Sequence, residues 1–173
     1  MPLFRISTAA LGVVLLAACS DTAPRTAEAP ASPAPDAVRP GEPPFAGASW
    51  TLDASGEAAA LRLEEGGDLV AGLACLGGPA RLRAESDRFQ PIMSEDRFTV
   101  GAGEEAYALA ADLQAARERG VEASGAIPRD MLDRLEDGGA IAFNYGAQNL
   151  GPFPAVPEAE LRAFVERCRA LAG

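Results

Sequence analysis

Two residue types are missing altogether. The chain of 173 residues contains no lysine and no histidine, so every basic side chain is one of its 15 arginines. Without them a Ser-His-Asp or Cys-His unit, a Ser-Lys dyad, a Schiff-base lysine and a histidine-containing zinc site are all excluded. A metal site would need oxygen ligands alone, and no Asp-x-Asp-x-Asp-Gly calcium loop occurs in the sequence. No cofactor and no metal are expected. The chemistry that remains is that of carboxylates, as in glycoside hydrolysis, or of arginine and tyrosine. Long apolar runs are also missing. The longest begins near Ile6 and ends at Ala18, too short to cross roughly 30 Å of hydrocarbon as a helix.

The charge balance is one-sided. The formal net charge is −10, which disfavours nucleic acid, whose binding rests on neutralised phosphates. It equally disfavours attraction to anionic lipid. It favours encounter with a basic protein partner.

The N-terminus has the layout of an export leader. Met1 to Arg5 is a short basic region, Ile6 to Ala18 is apolar, and small residues precede Cys19. Leu16-Ala17-Ala18-Cys19 resembles a bacterial lipobox, where a diacylglycerol is attached to a cysteine and the chain is cut before it. The resemblance implies a signal peptide over 1–18 and a mature chain anchored to a membrane by acyl chains on Cys19. Two or more acyl chains give stable anchoring. The alternative is an ordinary signal peptide with a coincidental cysteine. Ser20 follows the cysteine; by analogy with enterobacterial sorting this implies the outer membrane, with the domain in the periplasm. Asp21 next to it leaves inner-membrane retention open. Without the leader, 14 arginines face 25 acids, a charge of −11.

If Cys19 is acylated, Cys75 and Cys168 remain as a pair in an oxidising compartment, and a disulfide between them is expected. Two buried free thiols are the alternative.

Residues 19–44 read as a tether, with seven of the 14 prolines between Ser20 and Pro44. Such a segment buries no core. At ~3.1 Å per residue it would reach roughly 75–80 Å. Residues 45–173 read as a single globular α+β domain: an antiparallel β-meander followed by two helices, the C-terminal one packed on the sheet. Candidate strands are Ser49–Asp53, Ala59–Glu64, Asp68–Cys75, Ala80–Glu85, Arg97–Gly101 and Ala106–Ala111, separated by glycine-rich turns. The Ala-rich stretch from Glu105 to Arg119 is strand-like at first and otherwise compatible with helix. A helix is expected over Pro128–Glu136, a strand over Ala140–Tyr145, and a last helix from Pro157 or Glu158 to Leu171. Alternation puts Cys75 on one face with Leu69, Ala71 and Leu73. Spacings of three and four put Cys168 on one helical stripe with Leu161, Phe164, Val165 and Leu171. Both cysteines are thereby aimed inward.

Two stretches carry candidate function. Asn144 to Pro154 joins amide side chains, two aromatics and turn residues without charge. Tyr145, Gln148, Asn149 and Phe153 are its candidate partner-binding residues, since prolines reduce the entropy lost on binding. The structural alternative is a turn in which Phe153 plugs the core and Tyr145 ends a strand. Glu122 to Ile127 contains Ser124-Gly125, similar to the Ser-Gly motif of membrane-bound lysozyme inhibitors, which are lipoproteins whose loop places a serine in the lysozyme cleft. The tyrosine expected after that motif is replaced by Ile127 and Pro128, and a plain turn before the helix is the alternative. Adjacent acids such as Glu64-Glu65 and Glu104-Glu105 read as solvated faces. Arg81 and Arg83 share a strand face, to pair with acids or to hold a small anion.

From Trp50 onward, the paired cysteines, the Tyr-Gly-Ala-Gln loop and the closing helix resemble small proteobacterial envelope lipoproteins. The late strand and closing helix are also similar to invasion-associated locus B-type periplasmic proteins. The resemblance implies a lipid-anchored, non-enzymatic binding or structural role in the periplasm, and brings no catalytic residues. An inhibitor of a basic cell-wall hydrolase and a carboxylate-dependent glycan-active enzyme are the alternatives; the implied partner is a basic protein or a cell-wall component.

Overall fold

Period-two alternation dominates the chain from Ser49 onward, and each alternating run becomes a strand. The computed structural model describes residues 45–114 and 120–173. Cys19 and the expected leader and tether over 1–44 lie outside the described residues. The strands are β1 (Ser49–Asp53), β2 (Ala58–Glu65), β3 (Asp68–Leu76), β4 (Arg81–Ser86), β5 (Arg97–Ala102), β6 (Glu105–Ala111), β7 (Val121–Ala126), β8 (Ile141–Tyr145) and β9 (Gln148–Leu150). The helices are α1 (Arg129–Glu136) and α2 (Glu158–Ala172).

All nine strands form one antiparallel sheet in the order β1-β2-β3-β4-β7-β6-β5-β8-β9. The fold is α+β, as expected, but a meander only in part. The first four strands lie in sequence. Residues 87–96 then pass over two strand positions, and β5, β6 and β7 return until β7 closes against β4. Glu122–Ile127, expected as a Ser-Gly loop or as a turn before the helix, instead lies largely within β7, although Val-Glu-Ala-Ser-Gly-Ala is poor in strand-formers. Its place is set by packing instead. An ideal Cβ on Gly125 would lie 2.9 Å from Leu109 Cδ2, so the missing side chain is the space Leu109 fills.

Directly opposite residues of paired strands share a face. One face carries Leu61, Leu73, Leu82, Ala84, Ala123, Phe98 and Phe143, all buried. The other carries Arg62, Arg83, Glu85 and Glu122, joined by ion pairs Arg62–Glu85 at 3.6 Å and Arg83–Glu122 at 3.9 Å. The sheet curls around its apolar face. Trp50 of β1 donates its indole N–H to the Pro154 carbonyl, beyond β9, at 2.8 Å, and its ring meets Phe153 edge-on at 6.3 Å.

The helices fill the concave side. Met131, Leu132 and Leu135 of α1 are fully buried, as are Phe164, Val165 and Cys168 of α2. α2 packs on β1, β2 and β3 and against α1. Arg169 of α2 grips Asp133 at 2.6 Å and Glu136 at 2.7 Å on α1. Cys75 of β3 and Cys168 form a disulfide, with Cα atoms 5.4 Å apart and a sequence separation of 93. Among the described residues no helix is long and apolar enough to cross a membrane.

Candidate functional site

The passage between β4 and β5 is the longest connection wholly within the described residues. Ten residues without regular structure inside a compact domain need anchoring. Several anchors are backbone and core. Asp87 N–H donates to Leu69 O at 2.9 Å, Gly120 N–H donates to Phe89 O at 3.0 Å, and Phe89 is buried edge-on to Phe98 at 5.5 Å. Arg88 reaches Glu65 at 3.1 Å and Asp68 at 3.9 Å.

The remaining anchors come from the end of β8 and from β9. The buried Tyr145 hydroxyl accepts the Ile92 N–H at 3.2 Å and donates toward the carbonyls of Ile92 at 2.8 Å and Glu95 at 3.0 Å. The Gln148 amide behaves like a strand neighbour. Its Oε1 accepts Gln90 N–H at 2.8 Å and its Nε2 donates to Gln90 O at 2.9 Å. Gly146 between them has φ +58° and faces Ile92 Cδ1, 3.1 Å from where a Cβ would stand. Only glycine takes that backbone without strain while leaving room for Ile92. Asn144 Nδ2 ties the turn internally, donating to Gln148 O at 3.2 Å and Asn149 Oδ1 at 2.6 Å.

Residues 87–96 are therefore a braced loop, and their tip presents Met93, which is 73% exposed and is the one large apolar side chain so placed among the described residues.

The four residues of the 144–154 stretch divide accordingly. Tyr145 and Phe153 are buried; Phe153 is edge-on to Phe143 at 5.2 Å and 5.4 Å from Phe45. Both act on the surface only through what they hold in place. Gln148 is half-buried and engaged with Gln90, while Asn149 is exposed. The structure brings the loop at 87–96 to this stretch, a neighbour that sequence reasoning missed. The available signal was a buried-type tyrosine beside an amide, whose polar ends require partners.

Ser124 and Gly125 sit inside β7, paired with Arg83 and Leu82 of β4. Ser124 Oγ accepts from Arg81. This serine stands on a strand face and not on a projecting loop or a turn. Arg81 and Arg83 are both engaged, with Ser124 and Glu122.

Clefts among the described residues include two beside the helices. One of about 280 Å³ lies between the helices, lined by Arg129, Asp133, Arg169, Ala172 and Gly173. Its acid is already paired with Arg169, and those bonds, to Asp133 first and then Glu136, hold the Arg169 guanidinium above its ordinary pKa. Arg129 donates to the Gly173 carbonyl. The other, of about 150 Å³, is lined by residues 138–141, 153–156 and Leu161 and contains no ionisable side chain. Near α1, Tyr107 donates to Asp130 at 2.9 Å; desolvation, then that bond, raise the phenol above its ordinary pKa. Asp133 is the one carboxylate side chain among the residues lining these two clefts.

No protein-family model matches the chain, and neither a curated protein nor a solved structure does.

Proposed function

We propose that this chain is an acylated protein of the bacterial outer membrane, tethered through Cys19, whose domain contacts another protein in the periplasm without catalysis. The observation that carries the contact role is the braced loop. Tyr145 and Gln148 make five hydrogen-bonding contacts to its backbone, yet its tip leaves Met93 in solvent. A loop fixed in advance loses less entropy on binding, and methionine is an adaptable contact side chain. The lipobox-like Leu16-Ala17-Ala18-Cys19 supports the anchor, and the Cys75–Cys168 disulfide fits an oxidising compartment. The acidic composition supports a basic partner.

Two measurements test this reading. Mass spectrometry of native material should find acyl chains on Cys19 and no residues before it. A photo-crosslinker at position 93 should give one dominant adduct in cells, while the same group at Thr99, on the sheet face, gives none. A free thiol at Cys19 removes the anchor; equal labelling from both positions removes the loop contact.

A further inference from the structure

β6 loses one of its two neighbours halfway along. β5 accompanies it from Ala102↔Glu105 to Arg97↔Ala110. β7 pairs with it only at Ala110↔Ser124 and Ala111↔Ala123, although β7 itself continues to Ala126 against Arg81 of β4. Ladder parity identifies the groups left over. Ala111 N–H donates to Asp96 O at 2.9 Å, and Asp112 N–H donates to Glu122 O at 2.8 Å. Successive residues of an antiparallel strand address opposite neighbours. The odd-numbered residues of β6 thus address β5, and the even-numbered ones address the β7 side. Ala106 and Ala108 direct an N–H and a C=O each to that side, where no ladder pair joins either residue to β7.

Both alanines are exposed. Unpaired strand edges are normally blunted by proline, a bulge or lysine. Here the edge is built from alanines, whose methyl groups leave the backbone within reach. The two donor–acceptor sets are about 6.8 Å apart, the repeat of an antiparallel strand. That spacing defines the occupant as extended polypeptide. Charge defines it further: Glu104 and Glu105 are exposed at one end of the edge, Asp130 lies beside Tyr107, and Arg134, 3.4 Å from Glu105, is the one cation paired there.

We propose that the Glu105–Ala108 edge of β6 accepts an extended, positively charged segment of a partner protein, which adds to the sheet as a further strand. This rests on the reading of the domain as a protein-binding module, and it names the chemistry of the partner.

The test reads individual amides on the full purified chain with its disulfide intact. In the free protein the Ala106 and Ala108 amides should exchange about 100-fold faster than those of Tyr107 and Leu109, which β5 protects. A capped hexapeptide alternating arginine and valine should then slow the Ala106 and Ala108 amides by about tenfold at millimolar concentration. A glutamate–valine counterpart should not. Ala108→Pro removes one edge donor and no bond to β5, and should abolish protection at Ala106. Ala106 and Ala108 amides already protected in the free protein would overturn the proposal, with no variant needed. So would an arginine peptide that slows no amide of β6, or a glutamate peptide that works equally well. Each readout is independent of acylation at Cys19 and of crosslinking at Met93, so the edge and the wider reading fail separately.

Discussion

The Tyr145 hydroxyl holds both backbone groups of Ile92, a residue 53 positions earlier in the chain. The core of a β-strand is in this way made to shape a surface loop. Replacing Tyr145 with Phe keeps the ring among Phe89 and Phe98 and removes only the oxygen. It should destabilise the fold by about 1–3 kcal/mol, because buried backbone groups lose their partner. Chemical denaturation measures that cost. Amide exchange at Ile92 should rise by more than exchange in β3, where the rise reflects only the global loss; an equal rise at both would mean the hydroxyl supports the whole fold and not the loop.

Gly146 is the second support of the same loop. Alanine there would take a left-handed backbone and place its Cβ 3.1 Å from Ile92 Cδ1. The backbone alone costs roughly 1–2 kcal/mol. Gly146→Ala should therefore lower the thermal midpoint and alter the Met93 environment together, read by the methionine methyl resonance. A stable variant with an unmoved methyl signal would contradict the contact.

Removing the disulfide by Cys75→Ala with Cys168→Ala should have a larger effect. Closing a loop of 93 residues stabilises by about 4–5 kcal/mol in the chain-entropy model. The denaturant midpoint should fall accordingly. Compared with the native protein, the additional trypsin cuts within the domain should fall first at Arg162, Arg167 or Arg169, since α2 loses its covalent link to β3. First cleavage in the sheet would show that α2 is held by packing alone.

Tyr107 gives a prediction in pH. Its folded-state pKa lies above the ordinary phenol value of 10.0, from desolvation and then the hydrogen bond to Asp130. The folded state thus favours the neutral phenol. The associated stability is fully present below the unfolded pKa and is lost as pH rises through the folded one. Ring resonances of Tyr107 should titrate above 10.0, and Asp130→Asn should lower that midpoint. An unchanged midpoint in the variant would exclude Asp130 as a cause.

Local pattern carried much of this fold. The spacing of Phe164, Val165 and Cys168 identified the buried stripe of α2, and alternation from Asp68 identified β3, because each element's own period reports its buried face. The inward aim of both cysteines followed from those two periods; their pairing, expected from the oxidising compartment, is present in the structure. Long-range pairing was less visible. β7 has little strand propensity of its own and exists because Ala123 and Gly125 fit between β4 and Leu109. The functional surface was half legible. The 144–154 stretch drew attention through its composition, but nothing near Tyr145 in sequence names Ile92 as its partner, since a side chain's long-range contact is set by topology and not by its neighbours.

The bond between β3 and α2 also imposes an order on biosynthesis. The sulfur of Cys75 emerges 93 residues ahead of its mate, so a chain stopped between the two carries Cys75 without its partner. Only a molecule whose closing helix has been made and seated can silence it. Within residues 45–173 the finished domain carries no free thiol, whereas a chain cut short of Cys168 carries one.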